Sequence, residues 1–140
     1  MLTRHTLSLD DAKAIAGAAA SKARKEGWTV VIAILDSSGH LQYLERADGT
    51  QLGSVTVAQE KARTALMFRR PSQAFEEMIL SGKTHMMGLP GVTPVAGGLP
   101  LSWRGEIVGA IGVSGVLSSQ DAQVAQAGAA VLSDAVAGAA

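Results

Sequence analysis

Lys61 is the charged residue whose surroundings invite chemistry. If it lies on a helix, its neighbours three and four positions away are Val57, Ala58, Thr64 and Ala65, an apolar setting for an ammonium group. A lysine held there acts as a base of lowered pKa, holds a carboxylate, or pairs with Asp36, Asp48 or another acid of the fold. Gly97-Gly98-Leu99-Pro100 sets two glycines inside an apolar run, where they forfeit packing unless backbone must come close to something: a ligand, a bulge or a helix. Gly109 and the run Gly112-Val113-Ser114-Gly115 precede a helix and can either present N–H groups to an anion or let an alanine-rich helix lie against a strand. Their spacing matches neither of the glycine-rich nucleotide fingerprints. Arg46 and Asp48 flank a turn and offer a polar ligand two charges.

The histidines, His5, His40 and His85, stand far apart in the chain and form no metal-spaced pair. His85 precedes Met86 and Met87 in a Gly/Pro-rich stretch. Haem iron accepts both side-chain types, but adjacent residues do not reach opposite faces of one iron, so His85 either ligates singly or stands solvated. No Gly-x-Ser-x-Gly elbow is present, and no serine triad can be assembled.

The composition narrows the alternatives. The chain has 140 residues, no cysteine, and 12 basic against 12 acidic side chains. Zinc-ribbon, iron–sulfur and thiol chemistry are excluded. A balanced charge lacks the footprint of a nonspecific nucleic-acid binder. Residues Met1 to Asp10 hold no apolar core of signal-peptide type, and no apolar run reaches membrane-spanning length. The expectation is one cytoplasmic domain over 1–140, with neither nucleic acid nor membrane as partner. Aromatics make up only 4%, so the core must rely on Leu, Ile, Val and Ala in closely approaching elements.

Those elements follow from the patterning. Ser8 with Asp10 and Asp11 marks a helix start, and Gly27 its end, giving a helix over about 9–26. Trp28 to Leu35 reads as a strand buried on both faces. Asp36-Ser37-Ser38-Gly39 turns the chain into an alternating strand over His40 to Ala47, with Leu41, Tyr43 and Glu45 on one face. Ser54 can cap a helix to about Arg69, and Pro71 stops it and starts a short one. Gly82 to Pro94 reads as loop. Val95 to Trp103 and Glu106 to Val113 form a second hairpin about Arg104-Gly105. A last helix runs from Gln120, capped by Ser118 or Ser119, to about Ala137, carrying Val124, Gly128, Val131, Leu132 and Ala135. Two hairpins and covering helices define an α+β fold, an antiparallel α/β sandwich.

With the segments placed, the chain resembles the GlcG/HbpS-like family, also called the haem-degrading-domain family, which includes the C-terminal domain of PduO-type adenosyltransferases. The match rests on Asp36, Gly39 and His40 with Arg46, Asp48 and Gly49; on Ser54, Ala58, Lys61, Ala62 and Thr64-Ala65; on Gly97 to Pro100; and on Gly105 to Gly115 with Gln120-Asp121. The resemblance implies a five-stranded antiparallel sheet of profilin-like or PAS-like type, helices packed on it, and assembly into dimers or larger homo-oligomers. It implies haem or a corrinoid as ligand in some members. Histidines near the first helix serve haem there; here that helix carries none, and only His5 lies just before it.

Three functions follow as expectations. The first is a binding protein for a small molecule or tetrapyrrole, accessory to a catabolic or redox pathway, with a pocket formed by Gly97, Gly98, Leu99, Pro100, Gly112, Val113 and Ser114 beside Lys61, and His85 as a further ligand. The second is a catabolic isomerase or hydrolase acting on a small carboxylate or carbonyl compound. In it Arg46 or Lys61 holds the anion and His40, His85 or Asp48 moves a proton. The third is an oligomeric scaffold without chemistry.

Overall fold

The computed structural model describes residues 1–139, with side chains described for 1–133. Helix α1 (Leu9–Glu26) begins in a reciprocal cap, Asp11 N–H donating to Ser8 Oγ and Ser8 N–H to the Asp11 carboxylate. It ends at Gly27 in the left-handed region (φ 75°). Trp28 N–H closes that stop on the Ala23 carbonyl, so strand β1 (Val31–Asp36) starts three residues later than its apolar run. Strand β2 (Leu41–Arg46) returns across the Gly39 turn, and β3 (Gly98–Trp103) and β4 (Glu106–Ser114) form the second hairpin.

The sheet is antiparallel throughout, in the order β2-β1-β4-β3. Among the described residues it has four strands, not five. The chain that comes nearest to a fifth is the N-terminal stretch beside β4. It lies where β1 has already ended, at the pairing of Asp36 with Gly109, and gives one backbone bond, Leu7 N–H to the Val108 carbonyl. A single bond makes no ladder; side chains hold the rest of that stretch.

Helices α1 and α4 (Ser118–Ala139) cover one face of the sheet, where Ile32, Ile34, Leu101, Ile111 and Val113 meet the alanines of α1 and Val124, Ala125 and Leu132 of α4. Ala135 lies outside the residues whose side chains are described. Helix α2 (Ser54–Phe68) covers the other face, with Ala58 on Val31 and Ala33, and Ala62 on Leu35 and Ala110. Strand β1 is therefore buried on both sides. Gly53, not Ser54, caps α2, because the Ser54 hydroxyl is fully buried against Ser114 Oγ. Helix α3 (Gln73–Leu80) follows, and the stretch expected to be wholly loop contains a 3-10 turn over Thr84–Gly88. In β2 the alternation breaks at Gln42: Tyr43 stands opposite Ile34 but Leu41 opposite Leu35, so Leu41 and Tyr43 point to opposite faces.

The glycines explain how α2 sits. Gly98 and Gly112 are paired neighbours on β3 and β4. A Cβ on Gly112 would collide with the Ala58 carbonyl and come to 2.7 Å from Ala62 N, and one on Gly98 would collide with the Lys61 carbonyl. What comes close to these glycines is the backbone of α2. Replacing Gly112 by alanine forces rigid backbone apart and is expected to cost about 3 kcal/mol. Gly17→Ala, on the exposed side of α1 with nothing within 4 Å, is expected to gain about 0.5–1 kcal/mol. Urea unfolding of the two variants checks this, and a Gly112→Ala protein as stable as the parent would refute the seating of α2.

Candidate functional site

Lys61 is 1% exposed and its ammonium is held by partners within the fold. Nζ lies 2.9 Å from Asp121 Oδ2 and 3.0 Å from the Val113 carbonyl. The other carboxylate oxygen of Asp121 accepts the Val116 N–H at 3.2 Å. Burial pushes the Asp121 carboxyl up, against the pull of the Lys61 ammonium and the backbone N–H groups of Val116 and Gly115. Gly97 (φ 130°) crosses over the pair: a Cβ there would meet Lys61 Cδ and Nζ at 3.0 Å. The acid that answers Lys61 is thus Asp121, 60 residues on, and neither Asp36 nor Asp48.

The residues grouped with Lys61 in the sequence do come together, but helix fills the space between them. Val113 supplies the carbonyl, Ser114 Oγ meets Ser54 Oγ at 3.0 Å, Leu99 packs toward the α1/α4 core, and Pro100 pairs with Ala110. The other candidates stand apart from them and from one another. Arg46 and Asp48 are exposed at the end of β2, and His85 is exposed on the 3-10 turn. The His40 side chain is 82% exposed, 4.0 Å from Asp36, whose Oδ1 caps its own turn through Ser38 and His40 N–H.

An open groove lies on the far side of the sheet, between the N-terminal stretch and the β3–β4 turn. It measures about 320 Å³ and is lined by His5, Thr6, Leu7, Asp11, Trp103, Val108 and Leu132. Four anchors hold its wall: Leu7 N–H to Val108, Gln42 Nε2 to the Leu7 carbonyl at 2.8 Å, Ser37 N–H to Thr6 Oγ1, and His5 to Glu106. The bulge at Gln42 thus has a use, since it turns that side chain to the strap that forms the groove.

His5 donates its backbone N–H to Glu106 Oε1 at 2.9 Å, and its Nδ1 lies 2.7 Å from Oε2. These bonds hold the Glu106 carboxyl below the usual carboxylate range. A carboxylate only accepts, so Nδ1 carries the proton and a neutral His5 keeps a lone pair on Nε2. The ring meets the edge of Trp103 at 5.0 Å, while the Arg104 guanidinium lies 4.6 Å over the Trp103 ring. The carboxylate thus fixes the orientation of an imidazole that stands beside an apolar wall.

Sequence reasoning missed Asp121 as the partner of Lys61, and it gave Trp103 and Glu106 no role at the site. An acid in the first turn of a helix that follows a glycine-rich turn was the available signal for Asp121. No local pattern links residue 5 to residue 106.

Fold and site together define a small α+β binding-type domain, an antiparallel sheet covered on both faces, with a histidine-bearing groove at one edge. The chain belongs to the HbpS-like family, whose model, described as haem degrading protein HbpS-like, matches residues 7–130. It is 44% identical over 114 residues to the protein GlcG of Escherichia coli strain K12, covering 81% of this chain and 85% of that one. A double mutant of Streptomyces reticuli HbpS superposes with a TM-score of 0.85 at 34% identity, over 94% of this chain and 90% of that one. A PduOC:heme complex superposes with a TM-score of 0.80 at 26% identity, over 89% and 94%. Among the described residues no helix is long and apolar enough to cross a membrane, and no three His, Asp or Glu side chains group to hold a metal ion.

The buried pair generates a stability prediction. Lys61→Met leaves Asp121 buried without its cation and is expected to cost about 3–5 kcal/mol, whereas the double variant Lys61→Met/Asp121→Leu recovers most of that loss. Chemical denaturation of the three proteins reads it. Additive losses in the double variant would show that the two side chains do not depend on each other.

Proposed function

We propose that this chain is a tetrapyrrole-binding protein that takes haem on the groove beside His5, with Nε2 of His5 as iron ligand. The observation that carries this reading is the fixed imidazole: Nδ1 is held 2.7 Å from Glu106, at the rim of a cavity walled by Leu7, Trp103, Val108 and Leu132. The description of the family and the haem of the PduOC complex support the same ligand.

The residues fit the group. A bound haem supplies a redox-active iron. Glu106 fixes the tautomer and the orientation of the imidazole. Trp103, Val108 and Leu132 shed water against the apolar face of a macrocycle, and the Arg104 guanidinium stacked on Trp103 keeps that ring in place. A corrinoid presents a similar flat, metal-centred ring and falls within the same reading, as does an accessory role in a catabolic or redox pathway. Homo-oligomeric assembly belongs to it as well, supported by the exposed side chains of Leu52, Leu80 and Leu117.

The reading as a carboxylate isomerase or hydrolase has less support, since Lys61 is spent on Asp121 while Arg46, His40, Asp48 and His85 stand separately in solvent. Gly97, Gly98 and Gly112 then serve binding indirectly, by holding the sheet that carries β3 and β4.

Titration of the colourless protein with haemin is expected to give a saturable Soret band. His5→Ala should weaken binding at least tenfold and shift the Soret maximum, while His85→Ala and His40→Ala leave both unchanged. An unaltered Soret band in His5→Ala would remove the assignment.

A further inference from the structure

Beyond the groove, on the other side of Glu106, lies a polar cavity of about 400 Å³ lined by Arg4, Ser37, Arg69, Gly105, Glu106 and Ile107. An adjoining hollow of about 200 Å³ shares Arg4, Ser37, Arg69 and Ile107 and adds Ser38. Two arginines therefore line one space. Among the described residues neither Arg4 nor Arg69 forms an ion pair. The carboxylate that shares their cavity, Glu106, has both oxygens engaged by His5; Arg4 helps to hold its carboxyl low without pairing to it. Ser37 and Ser38 spend their backbone N–H groups on Thr6 Oγ1 and Asp36 Oδ1, and both residues line the smaller hollow.

The backbone of Arg69 adds an independent observation. Arg69 ends α2 in the left-handed region, at φ 54° and ψ 41°, with its N–H on the Ala65 carbonyl. Glycine or asparagine serves that stop with less strain, so the helix end gives no reason for an arginine. Its place in the lining of both hollows does.

We propose that Arg4 and Arg69, with the hydroxyls of Ser37 and Ser38, form a carboxylate-binding site. Guanidinium groups match the planar, two-oxygen geometry of a carboxylate, and the cavity suits a ligand of a few carbons. Two sources supply that chemistry. One is a free small carboxylate. The other is a propionate arm of a tetrapyrrole seated in the neighbouring groove, and only this second source rests on the function proposed above.

The test uses succinate as the free probe, followed on the arginine Nε–Hε resonances of the labelled protein, and compares haemin with its dimethyl ester, which lacks the charged arms. Succinate is expected to shift the Arg4 and Arg69 signals saturably, and Arg4→Gln or Arg69→Gly to weaken that binding at least tenfold, while Arg24→Gln changes nothing. If the tetrapyrrole is the source, the same two variants weaken haemin at least tenfold and leave the ester unaffected. Arg69→Gly should also raise the thermal midpoint, because glycine relieves the left-handed position; loss of binding in a more stable protein separates ligand contact from a structural role. A parent that binds succinate but not haemin upholds this site and refutes the haem groove. The site is refuted if neither probe responds to the two substitutions, or if Arg69→Gly loses binding only together with its fold.

Discussion

The seating of α2 on the sheet is the constraint from which the rest of the structure follows. The helix backbone rests directly on Gly98 and Gly112, closer than any side chain would allow, and a fully buried lysine leaves it to reach Asp121 at the start of α4. Close approach of this kind yields dense packing from small residues, in keeping with a core nearly free of aromatics. It also leaves the Lys61 stem nowhere to run except past Gly97, so the ammonium must find its partners inside. The Val113 carbonyl and the Asp121 carboxylate are those partners. The ion pair ties the helix on one face of the sheet to a helix on the other, across the end of β4.

With that face of the sheet closed by backbone, the open cavities lie at an edge. The strap of residues 4–7 runs past the end of β1, where β4 still has an unpaired side. Three elements fasten it: the Gln42 side chain from the bulge in β2, the Ser37 backbone N–H in the turn, and the Glu106 carboxylate at the start of β4. Two cavities of opposite character result. Glu106 lines the polar one with Arg4 and Arg69, and its bonded partner His5 lines the apolar one with Trp103. One acid–imidazole contact therefore orients His5 and divides an apolar surface from a polar one that carries two arginines.

Local patterning carried most of the fold. The cap at Ser8, the stop at Gly27, the doubly buried strand and both hairpins follow from spacing and turn chemistry that act over a few residues. The bulge at Gln42 was not readable, because it depends on a bond to Leu7, 35 positions away. The fifth strand that the family resemblance implied is absent from the described residues for a similar reason: the N-terminal stretch meets side chains where a ladder would need backbone. At the site, the glycines and Lys61 were legible as residues that something must approach closely, but whether ligand or helix did so could not be decided from one strand at a time. The pairs Lys61–Asp121 and His5–Glu106 join residues 60 and 101 positions apart. Only the folded sheet brings them together.

The central claim is that the glycine-and-lysine face is structural and that ligand binds at the strap. Gallium protoporphyrin, a diamagnetic stand-in for haem, allows a direct map of amide chemical-shift changes on the labelled protein. The account predicts the largest changes at residues 4–7, 103–108 and 132, with 58–62, 97–98 and 112–114 unmoved. The largest changes at Lys61, Gly97, Gly98 and Gly112, with the strap unmoved, would contradict it.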